Sequence, residues 1–172
     1  MVLRNRRQAA LLKCIAEALH AKVSGWFIRK INGEYKGLKF LIECIPSRRH
    51  APSSLEISIY KSSPFNLQIQ KETILRRIGK KINLLHELEI HNELFDKEFY
   101  ISSDSPEQAI NYLNKSFITT AIKELFDRGF CSLAIGGGQV FLKKMPLRIE
   151  QDLDLQNITM VLDYLTVIAG EL

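Results

Sequence analysis

The chain is poor in the residues that build covalent or metal scaffolds. It has three cysteines, Cys14, Cys44 and Cys131, far apart and odd in number. They offer no disulfide framework and no CxxC metal knuckle, and read as reduced, buried thiols of a cytoplasmic protein. No run approaches the ~18–20 consecutive apolar residues a membrane span needs. The basic start MVLRNRRQAALLKCIAEAL has no unbroken apolar core and no clear cleavage site, so it is not read as a secretory leader. Internal repeats, low-complexity tracts and long linkers are lacking too. The composition, 46% hydrophobic and 25% charged over 172 residues, is that of one globular domain spanning 1–172. Such a chain buries about two-thirds of its unfolded surface.

Catalytic patterns are equally scarce. There is no GxSxG elbow and no spacing that pairs a cysteine with a histidine. The histidines are His20, His50, His86 and His91. The last two stand five apart, on opposite faces of a strand or roughly 140° apart on a helix, unlike the two ligands of HExxH. In 93–100, ELFDKEFY, Asp96 and Glu98 would share one face of a strand. Lys97 between them favours a solvated edge over an acid–base pair. No catalytic residue, metal ligand or cofactor is assigned on these grounds.

The glycine run in 134–142, AIGGGQVFL, is the one stretch that suggests a phosphate cradle. A P-loop needs Gly-Lys-Ser/Thr and then a helix, whereas Gln139 and Val140 follow here. The dinucleotide fingerprint needs a sixth-position glycine, and counting from Gly136 that position is Phe141. A hairpin fits better. Opposed residues in an antiparallel pair have a constant index sum. A two-residue turn at Gly137-Gly138 opposes Ile135 with Val140 and Leu133 with Leu142, one all-apolar face. A three-residue loop opposes Ile135 with Gln139, which is worse.

The remaining patterning specifies an α+β fold: an antiparallel meander sheet covered on one face by helices, with helices at both ends of the chain. Leu12, Ile15 and Leu19 form an apolar stripe on an N-terminal helix over about 5–22, widened by Leu11, Cys14 and Ala18. Four alternating strands follow over 24–70, the first two (26–31 and 34–45) split by a predicted Asn32-Gly33 turn. Residues 71–92 fit no single period and read as a short helix and an irregular or strand segment. A capping box at Ser105-Pro106-Glu107-Gln108 starts a helix to about 114, a second covers 116–127 with Gly129 closing it, and the glycine hairpin comes next. The last helix, over about 153–172, carries Leu155, Ile158, Leu162, Leu165, Ala169 and Leu172 on one side.

Charge is divided unevenly. Residues 1–81 hold 17 Lys/Arg against 5 Asp/Glu, and 82–172 hold 7 against 14, so +12 and −7 make the net +5. Two halves of one fold can neutralise each other. They can also leave a basic surface built from Arg4, Arg6, Arg7, Arg48, Arg49, Arg76, Arg77, Lys80 and Lys81 for nucleic acid or an anionic membrane.

Gly33-Glu34-Tyr35-Lys36-Gly37, the alternating strands, Phe95-Asp96-Lys97-Glu98-Phe99, the helical pair, the Gly hairpin and the terminal apolar helix together resemble an uncharacterised bacterial domain family. That group shows a G-x-Y-x-G start and an FD-x-x-F box, and the likeness covers about 10–172. It carries no known activity. It implies a bacterial source, and relatives that sometimes bear a membrane anchor before the domain. A Gly-Asp pair often precedes the family's FD box, where this chain has His91-Asn92-Glu93. The box residues Gly33, Tyr35, Gly37, Phe95, Asp96 and Phe99 are expected to act structurally. Gly37 would mark a bulge or close contact within a strand, Phe95 and Phe99 would anchor the segment on the core, and Asp96 would cap a turn. The expected function is a non-catalytic binding or scaffolding domain for a protein partner. Electrostatic binding of nucleic acid or lipid is second, and an enzyme of unrecognised type third.

Overall fold

A computed structural model describes residues 2–25, 28–71 and 88–172, with side chains from Arg7 on. Its described elements are α1 (Val2–Ala18), β1 (Lys22–Ser24), β2 (Arg29–Tyr35), β3 (Leu38–Ile45), β4 (Ser54–Tyr60), β5 (Leu67–Lys71), α2 (Glu93–Glu98), β6 (Phe99–Ser103), α3 (Pro106–Leu113), α4 (Ser116–Asp127), β7 (Phe130–Gly136), β8 (Gln139–Lys144), α5 (Ile149–Asp152) and α6 (Leu155–Gly170). The class is α+β: one antiparallel sheet in the order β1-β2-β3-β4-β8-β7-β5-β6, covered on one face by helices. No described helix is long and apolar enough to cross a membrane.

Strand alternation explains the layering. Phe40, Ile42 and Cys44 of β3, Leu55, Ile57 and Ile59 of β4, Val140 and Leu142 of β8, Leu133 and Ile135 of β7, and Leu67 and Ile69 of β5 are all buried. Each set has the same parity within its strand, so all point to one side. Onto that side α1 brings Leu12, Ile15 and Ala16, α4 brings Ile118, Ile122, Leu125 and Phe126, and α6 brings Ile158, Val161, Leu162, Leu165, Ile168 and Ala169. One continuous core results.

The glycine run folds as the index sum requires. Ile135 pairs with Val140 and Leu133 with Leu142. Gly137 and Gly138 take φ of 59° and 80°, the left-handed values of a two-residue hairpin that glycine adopts without steric cost.

The same arithmetic corrects the first hairpin. Its turn is Lys36-Gly37, with φ of 49° and 80°, and not Asn32-Gly33, which lies inside β2. The observed register pairs Ile31 with Ile42 and Gly33 with Phe40. A turn at Asn32-Gly33 would oppose Ile31 with Glu34, so hydrophobic pairing outweighs the local Asn-Gly preference. Gly33 is instead the close approach. A Cβ there would sit 2.7 Å from the Ala21 Cβ and 3.1 Å from the Phe40 ring. Gly37, expected within a strand, is a turn residue with open space around it.

Other boundaries shift for identifiable reasons. The first helix ends at Ala18, and Lys22, expected at its end, instead opens the edge strand Lys22–Ser24 that pairs with β2. The meander stops at β4. That strand pairs with β8, while β5 lies between β7 and β6, a non-local choice that alternation cannot encode. Residues 93–98, expected as strand, form α2, because Asn92 caps it by accepting a bond from the Phe95 amide. Ser105 precedes α3 with Pro106 following, yet its side chain makes no capping bond; its amide donates to the Ser103 hydroxyl instead. The terminal helix expected over about 153–172 is α6, which Asp154 caps through the Asn157 amide, and the short α5 precedes it as an element the patterning did not indicate. Cys14 is exposed, against expectation, while Cys44 and Cys131 are buried. The expected strand residues Trp26 and Phe27, and the ambiguous 72–87 with His86, lie outside the described residues.

Candidate interaction surfaces

The two short boxes, 33–37 and 95–99, are tied into the fold. Tyr35 donates from its hydroxyl to Asp163 Oδ1 at 2.7 Å, and Lys36 Nζ reaches the same oxygen at 2.6 Å. The β2–β3 hairpin is thereby fastened to α6. Burial pushes the Asp163 carboxyl up, but the hydrogen bonds from Lys36 and Tyr35 outweigh it and hold it below the usual carboxylate range. Burial first, and then the bond to Asp163, pushes the Tyr35 phenol up. In the second box, Asp96 accepts from the amides of Ile90 at 3.1 Å and Asn92 at 3.0 Å. Phe95 stacks on Phe99 at 4.5 Å between centroids, and Phe99 meets Phe126 edge-on at 4.8 Å. Asp96 is thus occupied with backbone amides, and the described geometry aims no carboxylate pair of this segment at a common point.

A buried ion pair escaped the sequence reading. Lys144 shares the inward parity of Val140 and Leu142, so the end of β8 drives an ammonium toward the core. There Nζ meets Asp152 Oδ1 at 2.6 Å, with Asp152 only 2% exposed. Lys144 also donates to the Arg128 carbonyl and lies 5.5 Å from the Phe130 ring centroid. Asp152 Oδ2 accepts from the Arg148 amide at 2.6 Å, closing the turn into α5. Every described partner of the pair is structural. Tyr112 behaves likewise: burial raises its pKa, and its hydroxyl donates to the Ile168 carbonyl at 2.6 Å. Burial pushes the Cys44 thiol up to about 11, which removes it as a nucleophile at neutral pH.

The sheet face turned away from the helices is different. Cross-strand partners place Asn32, Leu41, Ser58, Phe141, Ala134 and Gln68 in one row. The neighbouring row runs Lys30, Glu43, Glu56, Lys143. Each glutamate is held by its outer lysine, Lys30 to Glu43 at 2.6 Å and Lys143 to Glu56 at 2.8 Å. The hydrogen bond and charge of Glu43 hold the Lys30 ammonium above its usual range. Tyr60, 46% exposed, pairs with Gln139 beside the glycine turn. Across β8, β7 and β5 an open depression of about 430 Å3 is lined by Asn66, Gln68, Ala134, Gly136, Gln139 and Phe141. The Asn66 side chain, held by Asp104, fills the space a Cβ on Gly136 would need. The glycine run therefore shapes this surface as well as turning the chain.

The basic residues divide. Arg76, Arg77, Lys80 and Lys81 lie outside the described residues, as do the side chains of Arg4 and Arg6. Arg7 is exposed and paired with Glu150. Arg48 and Arg49 are exposed in the β3–β4 loop, where the amide of Arg48 and the carbonyl of Ala51 are 2.9 Å apart. Among the described residues no group of three His, Cys, Asp or Glu is placed to hold a metal. His50 is exposed on that loop, and His20 and His91 sit on positive-φ turns.

The chain matches no family model, and no curated protein matches it. Among solved structures it is similar to the mycobacterial trehalose monomycolate transport factor A, TtfA, with a TM-score of 0.62 and 11% identity. The match covers 94% of this chain and 96% of that one. At that identity the likeness is one of fold alone, over nearly the whole length of both chains.

Proposed function

We propose that the chain is a non-catalytic binding domain for a protein partner, and that the partner docks on the sheet face opposite the helices. The observation that carries this reading is the composition of that face. Leu41, Phe141 and Tyr60 supply apolar and aromatic surface, Ala134 and Gly136 keep part of it low, and ion-paired Lys30–Glu43 and Glu56–Lys143 border it. Protein interfaces share that anatomy, a patch enriched in aromatics within a polar rim. Isolated exposed hydrophobics need no explanation, but a contiguous patch on a rigid sheet does. TtfA, which shares the fold, is named as a transport factor, a role that names no reaction.

The test is capture from a lysate of the source organism with the wild-type chain, Tyr60→Glu and Leu41→Glu. Both positions face solvent at least in part, and a thermal melt of each variant establishes that it is folded before capture. A specific partner retained by wild type and lost by both variants supports the reading. A partner set unaffected by either variant removes this face from consideration.

A further inference from the structure

The sheet has two ends, and topology sorts the charges between them. One end carries the two-residue turns Lys36-Gly37 and Gly137-Gly138. At the other, β3 leaves at Ile45, β4 enters at Ser54 and β8 leaves at Lys144. The β3–β4 loop and the segment entering α5 lie side by side there, because the Leu147 amide donates to the Ser53 carbonyl at 2.9 Å. The β3–β4 loop is itself closed by the Arg48–Ala51 bridge, which sets Arg49 and His50 at a tight tip. Arg148 is exposed at the start of α5, and Arg7 reaches the same place through Glu150.

The charge balance there is positive. Arg7, Arg48, Arg49 and Arg148 are exposed. Arg7 and Glu150 offset each other, as do Lys144 and Asp152, and Asp154 caps α6 through the Asn157 amide, so Arg48, Arg49 and Arg148 stand against one exposed carboxylate. The segment entering α5 also carries Met145, 39% exposed, and Pro146, also exposed. Of the exposed large hydrophobics Val23, Tyr60, Leu94, Phe117, Met145 and Val167, the aromatic ones, Tyr60 and Phe117, belong to the opposite end.

We propose that this end of the sheet is an electrostatic docking surface for anionic phospholipid headgroups, separate from the protein-binding face. Two convex loops present arginines around an apolar tip. That arrangement suits a flat anionic surface, where cations meet phosphates and a short apolar side chain enters the headgroup layer. Single-stranded nucleic acid would call for exposed aromatics as a stacking platform, and duplex readers place a helix or ribbon in a groove. The described residues of this end include no exposed Phe, Tyr or Trp, and the helix there, α5, is a single turn of four residues. Arg148 is the cation the sequence did not single out, since only the Leu147–Ser53 bond reveals that its segment lies beside the loop that carries Arg48.

The experiment is vesicle co-sedimentation of the full chain. The probes are phosphatidylcholine vesicles, the same vesicles with phosphatidylserine, and a competing DNA duplex. The variants are Arg48→Gln/Arg49→Gln, Arg148→Gln and Met145→Ser, with Lys123→Gln on α4 as control. Binding is expected to phosphatidylserine vesicles alone and to fall with salt. Each arginine removed should weaken it by about fivefold, from ~1 kcal/mol per basic residue at an anionic surface, and Met145→Ser by less. The control should leave it unchanged. Absent binding, binding indifferent to the arginine variants, or tighter binding to the duplex would each overturn the proposal. Because Tyr60→Glu lies on the other surface, it should bind vesicles as wild type does; failure of one proposal is thus distinguishable from failure of the other.

Discussion

Replacing Lys144 by methionine removes one charge of the buried pair and strands the other. Asp152 is 2% exposed and Lys144 only 13% exposed along its side chain. Neither ion can recover its hydration without disrupting the packing. Breaking such a pair from one side costs about 3–5 kcal/mol, because the remaining charge stays buried. A domain has ~5–15 kcal/mol in all, so losing one partner removes about a fifth of the stability or more. In a chain of this length each kcal/mol shifts Tm by about 2–4 °C, which gives a fall of ~6–20 °C. The assay is urea and thermal unfolding of wild type, Lys144→Met, Asp152→Leu and the double variant. The double variant should regain most of the loss, since an apolar pair avoids the desolvation penalty. It should not regain all, since the Arg148 amide loses its acceptor, worth about 1–3 kcal/mol. Lys13→Met, at an exposed i,i+4 pair with Glu17, should stay within ~0.5 kcal/mol of wild type. A Lys144→Met cost below ~1 kcal/mol, or a double variant costing the sum of the singles, would refute the reasoning.

Three further outcomes follow from named contacts. Gly138→Val, at φ 80° in open space, pays only for a left-handed backbone, about 1–2 kcal/mol; an unchanged Tm would contradict the turn. Gly33→Ala overpacks β2 against Ala21 and Phe40 and should cost ~1–3 kcal/mol, partly relieved by Ala21→Gly, so strictly additive unfolding energies for the two substitutions would sink that account. Asp163 has a lowered folded pKa, so its contribution is present above the unfolded value near pH ~4 and is lost as pH falls through the folded one. The small destabilisation by Asp163→Asn at neutral pH should therefore vanish in acid; a gap in Tm that persists at pH ~2 would show that the carboxylate's charge is not the cause.

What the sequence disclosed depended on whether local and long-range signals agreed. At Gly137-Gly138 the glycines and the hydrophobic pairing point to the same turn, and the hairpin was legible. At Asn32-Gly33 they conflict, and the pairing of Ile31 with Ile42 prevailed over the dipeptide. The same index sum, applied there, would have found Lys36-Gly37. Helix α4 was legible to its ends because Ile118, Ile122, Leu125 and Phe126 hold one stripe and Gly129 closes it. The insertion of β8 and β7 between β4 and β5 was not, since alternation tells which way a side chain points and not which strand lies beside it. For the surfaces the limit was the same. Leu41, Phe141 and Ala134 are scattered in sequence and share a row only through three strand pairings, and the segments of Arg48 and Arg148 are joined by one backbone bond, Leu147 to Ser53. The inward Lys144 was open to inference, because strand parity sends it to the core and a buried ammonium calls for a carboxylate.

The binding reading turns on one face of one sheet, and site-specific photocrosslinking examines it most directly. A photoreactive residue is placed at position 60, on the proposed face, and in a second chain at position 117 on α4. The account predicts a discrete adduct with a protein partner from position 60 that position 117 does not form. Equal labelling from both positions, or a discrete adduct from position 117 alone, would contradict it.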